Sequence, residues 1–178
     1  LIRYQDFLPN VDLDYALLIR ETRPDRNIDV MQVDLTKALS SPESIDDLIL
    51  QPRDRLLIFG VNSLENFLDR RLLIHPVIQS LRYQAVQDGF SKVTNITGEV
   101  SAPGDYPLVV NMTIKDLLRA AGGVVESGDF NQAELTKRVN MPEIGMVSQN
   151  IQIDLNNSLN LNAALGPLDQ ITIRQLPN

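Results

Sequence analysis

The sequence predicts an α+β chain that carries one structural unit and most of a second. Three observations lead there. Short apolar runs, some with two-residue alternation, mark strands; a middle stretch with three- and four-residue spacing marks helix; and strand-and-turn signatures from the first third recur in order in the last third. A length of 178 residues accommodates two modules of about 60–90 residues each.

The first strand is expected over Tyr15–Arg20, an apolar run closed by the turn formers Pro24-Asp25-Arg26-Asn27. A second runs from Ile28 to Leu35, where Ile28, Val30 and Gln32 alternate with Asp29 and Met31. A polar loop from Ser40 to Asp47 follows. Pro52-Arg53-Asp54 then turns the chain into a third strand ending at Phe59.

Between residues 61 and 88 the pattern becomes helical, with Leu64, Phe67, Leu68, then Val77, Ile78, Leu81 and Ala85 recurring at three- and four-residue spacing. Ser63 suits the cap, and Pro76 predicts a break, so two helical pieces are expected, the second starting at Pro76. Strand character returns at Val93–Thr97. Pro103-Gly104 suits the centre of a type II turn and hence a hairpin. Thr113 with Asp116 three residues on caps a helix whose apolar face is Ile114, Leu117, Leu118 and Ala121, and Gly122 supplies its left-handed stop. Further segments follow at Ala133–Arg138, Gln149–Leu155 and Gly166–Arg174.

The repeat sets the organisation. Arg20 matches Arg138 at a strand end, Val33-Asp34-Leu35 matches Ile153-Asp154-Leu155, and Pro52-Arg53-Asp54 matches Pro167-Leu168-Asp169. Residues 1–60 form a partial first module, 61–92 a helical connector and 93–178 a second module. The first lacks a counterpart of the Pro-Gly hairpin and the Gly-Gly-terminated helix, which are expected before Leu1.

Composition narrows the function. Hydrophobic residues make up 43% and charged residues 22%, values of a globular protein. The net charge of −7 and a pI near 4.6 repel phosphate backbones and anionic lipid, and the basic residues are scattered, so neither nucleic acid nor a membrane surface is an expected partner. The absence of cysteine excludes disulfides, thiolate nucleophiles and thiolate metal sites. No activated nucleophile or acid–base constellation is recognisable, and no catalytic residue, metal or cofactor is expected. His75, the single histidine, has no neighbour to make it a base or a ligand and reads as structural. Asp12-x-Asp14 and Asp46-Asp47 do not continue into the oxygen ligands of a calcium loop.

Four residues are candidates for ligand or subunit contact. Arg20 and Arg138 either pair with a carboxylate, such as Asp34 or Asp154, or face a sugar or neighbouring subunit, the internal pair being preferred. With no Trp, four Tyr and five Phe, the chain has few aromatic faces for carbohydrate; Tyr83 and Tyr106 are the two candidate platforms. Gly98, Pro103, Gly104, Gly122, Gly123, Pro167 and Asp169 read as a fold motif, because turns and helix ends explain them. Gly122-Gly123 follows a helix instead of preceding one and is no phosphate loop.

Hairpin, one helix, then further strands is the order of a β-grasp fold, so tandem β-grasp modules are expected. Gly98-x-Val100-x-x-Pro103-Gly104-x-Tyr106, the helix ending Ala120-Ala121-Gly122-Gly123, Leu135-x-x-Arg138 and Pro167-x-Asp169-x-Ile171-x-Ile173 together resemble the soluble-ligand-binding β-grasp (SLBB) domain. Such modules in tandem, joined by helix, resemble the outer-membrane polysaccharide export family. That resemblance implies a periplasmic location, attachment to the outer membrane through other parts of the protein, and a ring-forming scaffold or conduit for capsule or exopolysaccharide. It also implies a homo-oligomer, the polysaccharide in transit as a partner, and an inner-membrane polysaccharide co-polymerase as another. A stand-alone oligosaccharide or small-ligand binding module is the alternative.

Overall fold

The computed structural model describes residues 7, 9–41, 43 and 47–177, so Asp46 and part of the polar loop lie outside the described residues. The chain forms two compact units, Leu1–Leu73 and Ile74–Asn178. Its architecture is α+β, with two separate sheets and four helices among the described residues.

In the first unit, β1 (Val11–Glu21), β2 (Ile28–Val33) and β3 (Arg55–Gly60) form an antiparallel sheet of order β2-β1-β3. Tyr15 to Ile19 are all buried, because both faces of β1 are covered. This is why the sequence there is a continuous apolar run and does not alternate. On one face Ala16, Leu18, Val33 and Leu35 pack with Leu13, Met31, Leu56 and Ile58. On the other, Tyr15 stacks on Phe59 with ring centroids 5.5 Å apart. Leu35 does not end a strand as expected. It opens the short helix α1 (Leu35–Ser40), and the Asp34 carboxylate accepts the Lys37 N–H at 3.0 Å as its cap.

The connector is one helix, α2 (Leu64–Asp88), running through Pro76. Ser63 caps it as expected, its hydroxyl accepting the Asn66 N–H at 3.1 Å. Pro76 removes the hydrogen bond to the Leu72 carbonyl, a cost of about 3 kcal/mol. Two facts offset it: Leu72, Leu73, His75 and Pro76 are exposed, so water reaches this turn, while Ile74, Val77, Ile78 and Leu81 are each buried. Leu64 and Leu68, expected on the buried stripe, are exposed; Arg70 is buried instead.

In the second unit the sheet order is β5-β4-β8-β6-β7, from β4 (Val93–Gly98), β5 (Gly104–Pro107), β6 (Ala133–Met141), β7 (Gly145–Ile153) and β8 (Gln170–Ile173). β8 lies parallel to β4 and antiparallel to β6. Helix α3 (Ile114–Ala120) buries Ile114, Leu117 and Ala120, and its Thr113–Asp116 capping box forms as expected. Gly123 N–H donates to the Leu118 carbonyl at 2.8 Å, with Gly122 and Gly123 both at positive φ, which closes the helix. A four-residue helix α4 (Ser158–Leu161) precedes β8.

Pro103-Gly104 is not the centre of a tight turn. Gly104 already pairs with Ile96 at the start of β5, and residues 99–103 form a wider loop whose Ala102 and Ser101 N–H groups donate to the carbonyls of Ala121 and Gly123. These two N–H groups are satisfied by the residues that follow α3, and the Glu99 N–H by the Ile173 carbonyl, so no two-residue turn is required.

Candidate functional site

The two sheets share a strand register. In the first, Ala16 pairs with Val33 and Leu18 with Leu56; in the second, Ala133 pairs with Ile153 and Leu135 with Ile171. Strands β2-β1-β3 therefore repeat β7-β6-β8. By this register Arg20, two residues after Leu18, corresponds to Lys137, two residues after Leu135, and not to Arg138. Strand side chains alternate, so the one-residue difference changes the face.

The paired turns are alike in detail. Asp54 Oδ2 accepts the Gln51 N–H at 2.8 Å, and Asp169 Oδ2 accepts the Gly166 N–H at 2.8 Å. The residue before each aspartate, Arg53 or Leu168, adopts positive φ. Arg20 then reaches Asp54 through Nη2 at 2.7 Å and Nε at 3.0 Å, while Lys137 lies 3.5 Å from Asp169. The partner of Arg20 is thus Asp54, not Asp34, which is occupied in capping α1. The hydrogen bond from Arg20 holds the Asp54 carboxyl below its usual range, helped by the Gln51 N–H, and the same bond raises the Arg20 pKa. Arg138 is exposed; its backbone N–H donates to Asp169 Oδ1 at 3.3 Å.

Of the two tyrosines, Tyr83 is exposed on α2, at 71%. Tyr106 is buried, its hydroxyl donating to the Ala102 carbonyl at 2.6 Å, so it offers no platform. Its position in β5, facing the core, takes the ring away from solvent. Gly98 is required by close approach: a Cβ there would lie 1.9 Å from the Ile173 carbonyl oxygen, at φ +86°. His75 sits on the exposed side of α2, 3.5 Å from Gln79. Asp12 is a structural acid, accepting the Asp14 and Tyr15 N–H groups and pairing with Arg70. No group of metal-binding side chains occurs among the described residues.

The register also assembles a basic cleft that the scattered arginines of the sequence hide. Ile19, Glu21, Arg26, Ile28, Arg53 and Arg55 line an open cleft of about 410 Å³. A neighbouring cleft of about 570 Å³ shares Glu21 and Arg53 and adds Arg20, Arg23 and Gln51 among its walls. Arg23 and Arg26 come from the β1–β2 turn, Arg53 from the turn before β3 and Arg55 from its first residue; the pairing of Ile19 with Arg55 and Glu21 with Ile28 brings them to one end of the sheet. Strand pairing across some thirty residues of sequence is the signal that composition alone does not carry.

Residues 92–173 match the family model of the SLBB domain. This segment is an SLBB domain. No curated protein matches the chain. The match spans the whole sheet of the second unit up to Ile173, including the Asp169 turn and the Gly98 approach. An SLBB domain is a ligand-binding or scaffolding module; the two clefts described above lie in the first unit, outside the matched segment. No helix among the described residues is long and apolar enough to cross a membrane.

Proposed function

We propose that the chain is the periplasmic part of a polysaccharide export protein, in which tandem β-grasp modules serve as a ring-forming scaffold or conduit for capsule or exopolysaccharide. The observation that carries this reading is the repeat: the SLBB domain shares its β7-β6-β8 register and its Asp169 turn with the β2-β1-β3 sheet and Asp54 turn of the first unit. Repeated copies of one module suit an assembly that works by shape. Few exposed aromatic rings are available to grip a sugar, so contacts with the polymer are weak and transport is not impeded by tight binding.

On this reading the polysaccharide in transit is a partner, the full-length protein is a homo-oligomer attached to the outer membrane through other segments, and an inner-membrane co-polymerase is a further partner. The molecular mass of the full-length protein in solution tests it. A higher-order species is expected, and a strictly monomeric one overturns the ring.

A further inference from the structure

We infer that the arginine-lined end of the first sheet binds the acidic groups, carboxylate or sulfate, of an anionic polysaccharide. The choice of a polysaccharide rests on the export reading above; the anion site itself rests on the geometry.

The chain carries a net charge of −7, yet the two adjoining clefts are walled by Arg20, Arg23, Arg26, Arg53 and Arg55, with Glu21 as the one lining carboxylate among the described residues. Arg20 is held by Asp54 and Arg53 lies 3.4 Å from Glu21. Among the described residues Arg23, Arg26 and Arg55 make no ion pair. Asp25 and Asp29 stand on the same turn and strand, so the local excess is positive but limited, which suits weak, reversible capture.

The second unit shows that the fold does not need these arginines. By the shared register, Ile19, Arg53 and Arg55 correspond to Thr136, Leu168 and Gln170. The same turn, with the same positive φ and the same carboxylate-to-N–H bond, forms with Leu168 at the place of Arg53. The basic cluster is thus a property of the first unit and not of the module. Arg26 is also held at φ +56°, a conformation that asparagine or glycine adopts more readily. A cation occupies a position where the backbone favours other residues.

Guanidinium groups offer planar paired donors that match carboxylate and sulfate, and the clefts are open to solvent, as a passing chain requires. In a ring each subunit would contribute one such site, and weak sites add through multivalency.

The test titrates the isotopically labelled chain with a short oligogalacturonate, with neutral maltoheptaose and with vesicles of anionic phospholipid. Saturable shifts of the backbone amides of residues 20–28 and 51–55 are expected with oligogalacturonate, and none with maltoheptaose. Arg26→Gln with Arg55→Gln is expected to weaken binding about tenfold or more, while the charge-matched pair Arg71→Gln with Lys115→Gln changes it less than about twofold. Equal weakening in both pairs, shifts elsewhere, or binding to vesicles without binding to the oligosaccharide overturns the proposal. Because this binding is read on the chain itself and ring formation by mass under the export reading, failure of one is distinguishable from failure of the other.

Discussion

Arg20 grips Asp54 with two nitrogens, Nη2 at 2.7 Å and Nε at 3.0 Å, across the turn that starts β3. The Asp54 side chain is almost wholly buried and also accepts the Gln51 N–H, so the carboxylate closes the turn and anchors the end of β1 at once. Its folded pKa is lowered, first by Arg20 and then by Gln51. A lowered carboxyl contributes stability above its unfolded pKa of about 3.9 and loses it as pH falls through the folded value. The melting-temperature difference between the parent and Asp54→Asn is therefore expected to be constant above about pH 5 and to shrink below about pH 4. Thermal melts across that range check it; a gap that persists under acid contradicts it.

Arg70 is the largest fully buried side chain among the described residues, 2.6 Å from Asp12 and within 5.1–5.6 Å of the ring centroids of Tyr15, Phe59 and Phe67. Removing one member of a buried pair leaves an uncompensated charge. Arg70→Ala is expected to cost about 3–5 kcal/mol in urea unfolding. Arg70→Met with Asp12→Asn is expected to recover much of that, because asparagine still accepts the Asp14 and Tyr15 N–H groups while the apolar stem refills the aromatic cage.

The sequence made the strands and the capped helix α3 legible because local chemistry specifies them: apolar runs, the Thr113–Asp116 box and the Gly122 stop act within a few residues. Arg70 was hidden because its neighbours Asp69 and Arg71 are solvent-facing charges, and only the placement of Asp12 and three rings shows its burial. The correspondence of Arg20 with Arg138 failed by one residue, since residue identity suggested the alignment and strand register decides it. The arginine cleft was illegible for the same reason: Arg26 and Arg55 become neighbours only through the pairing of β1 with both β2 and β3.

Gly98 and Gly123 separate two reasons for a glycine. Both have positive φ, but a Cβ at Gly123 meets nothing within 4 Å, whereas at Gly98 it overlaps the Ile173 carbonyl, which accepts the Glu99 N–H. Gly123→Ala is expected to cost about 1–2 kcal/mol, the left-handed penalty alone. Gly98→Ala should cost clearly more, because β4 must move away from β8. Denaturant unfolding of the two variants ranks them, and equal losses contradict the close-approach argument.

Lys137 and Arg138 are adjacent but answer different questions. Lys137 reaches the buried Asp169 carboxylate at 3.5 Å while remaining one-third exposed, so Lys137→Ala is expected to lower stability by about 0.2–1 kcal/mol. Arg138 offers its backbone N–H to the same carboxylate and leaves its side chain in solvent, so Arg138→Ala keeps that bond and is expected to change stability by less than about 0.5 kcal/mol. Melting curves of the two variants test the assignment, with a larger loss in Arg138→Ala reversing it. Mass measurements on full-length protein carrying Arg138→Ala add a second readout for the proposed ring: loss of higher-mass species at unchanged melting assigns Arg138 to a contact between copies, while unchanged mass excludes it from one.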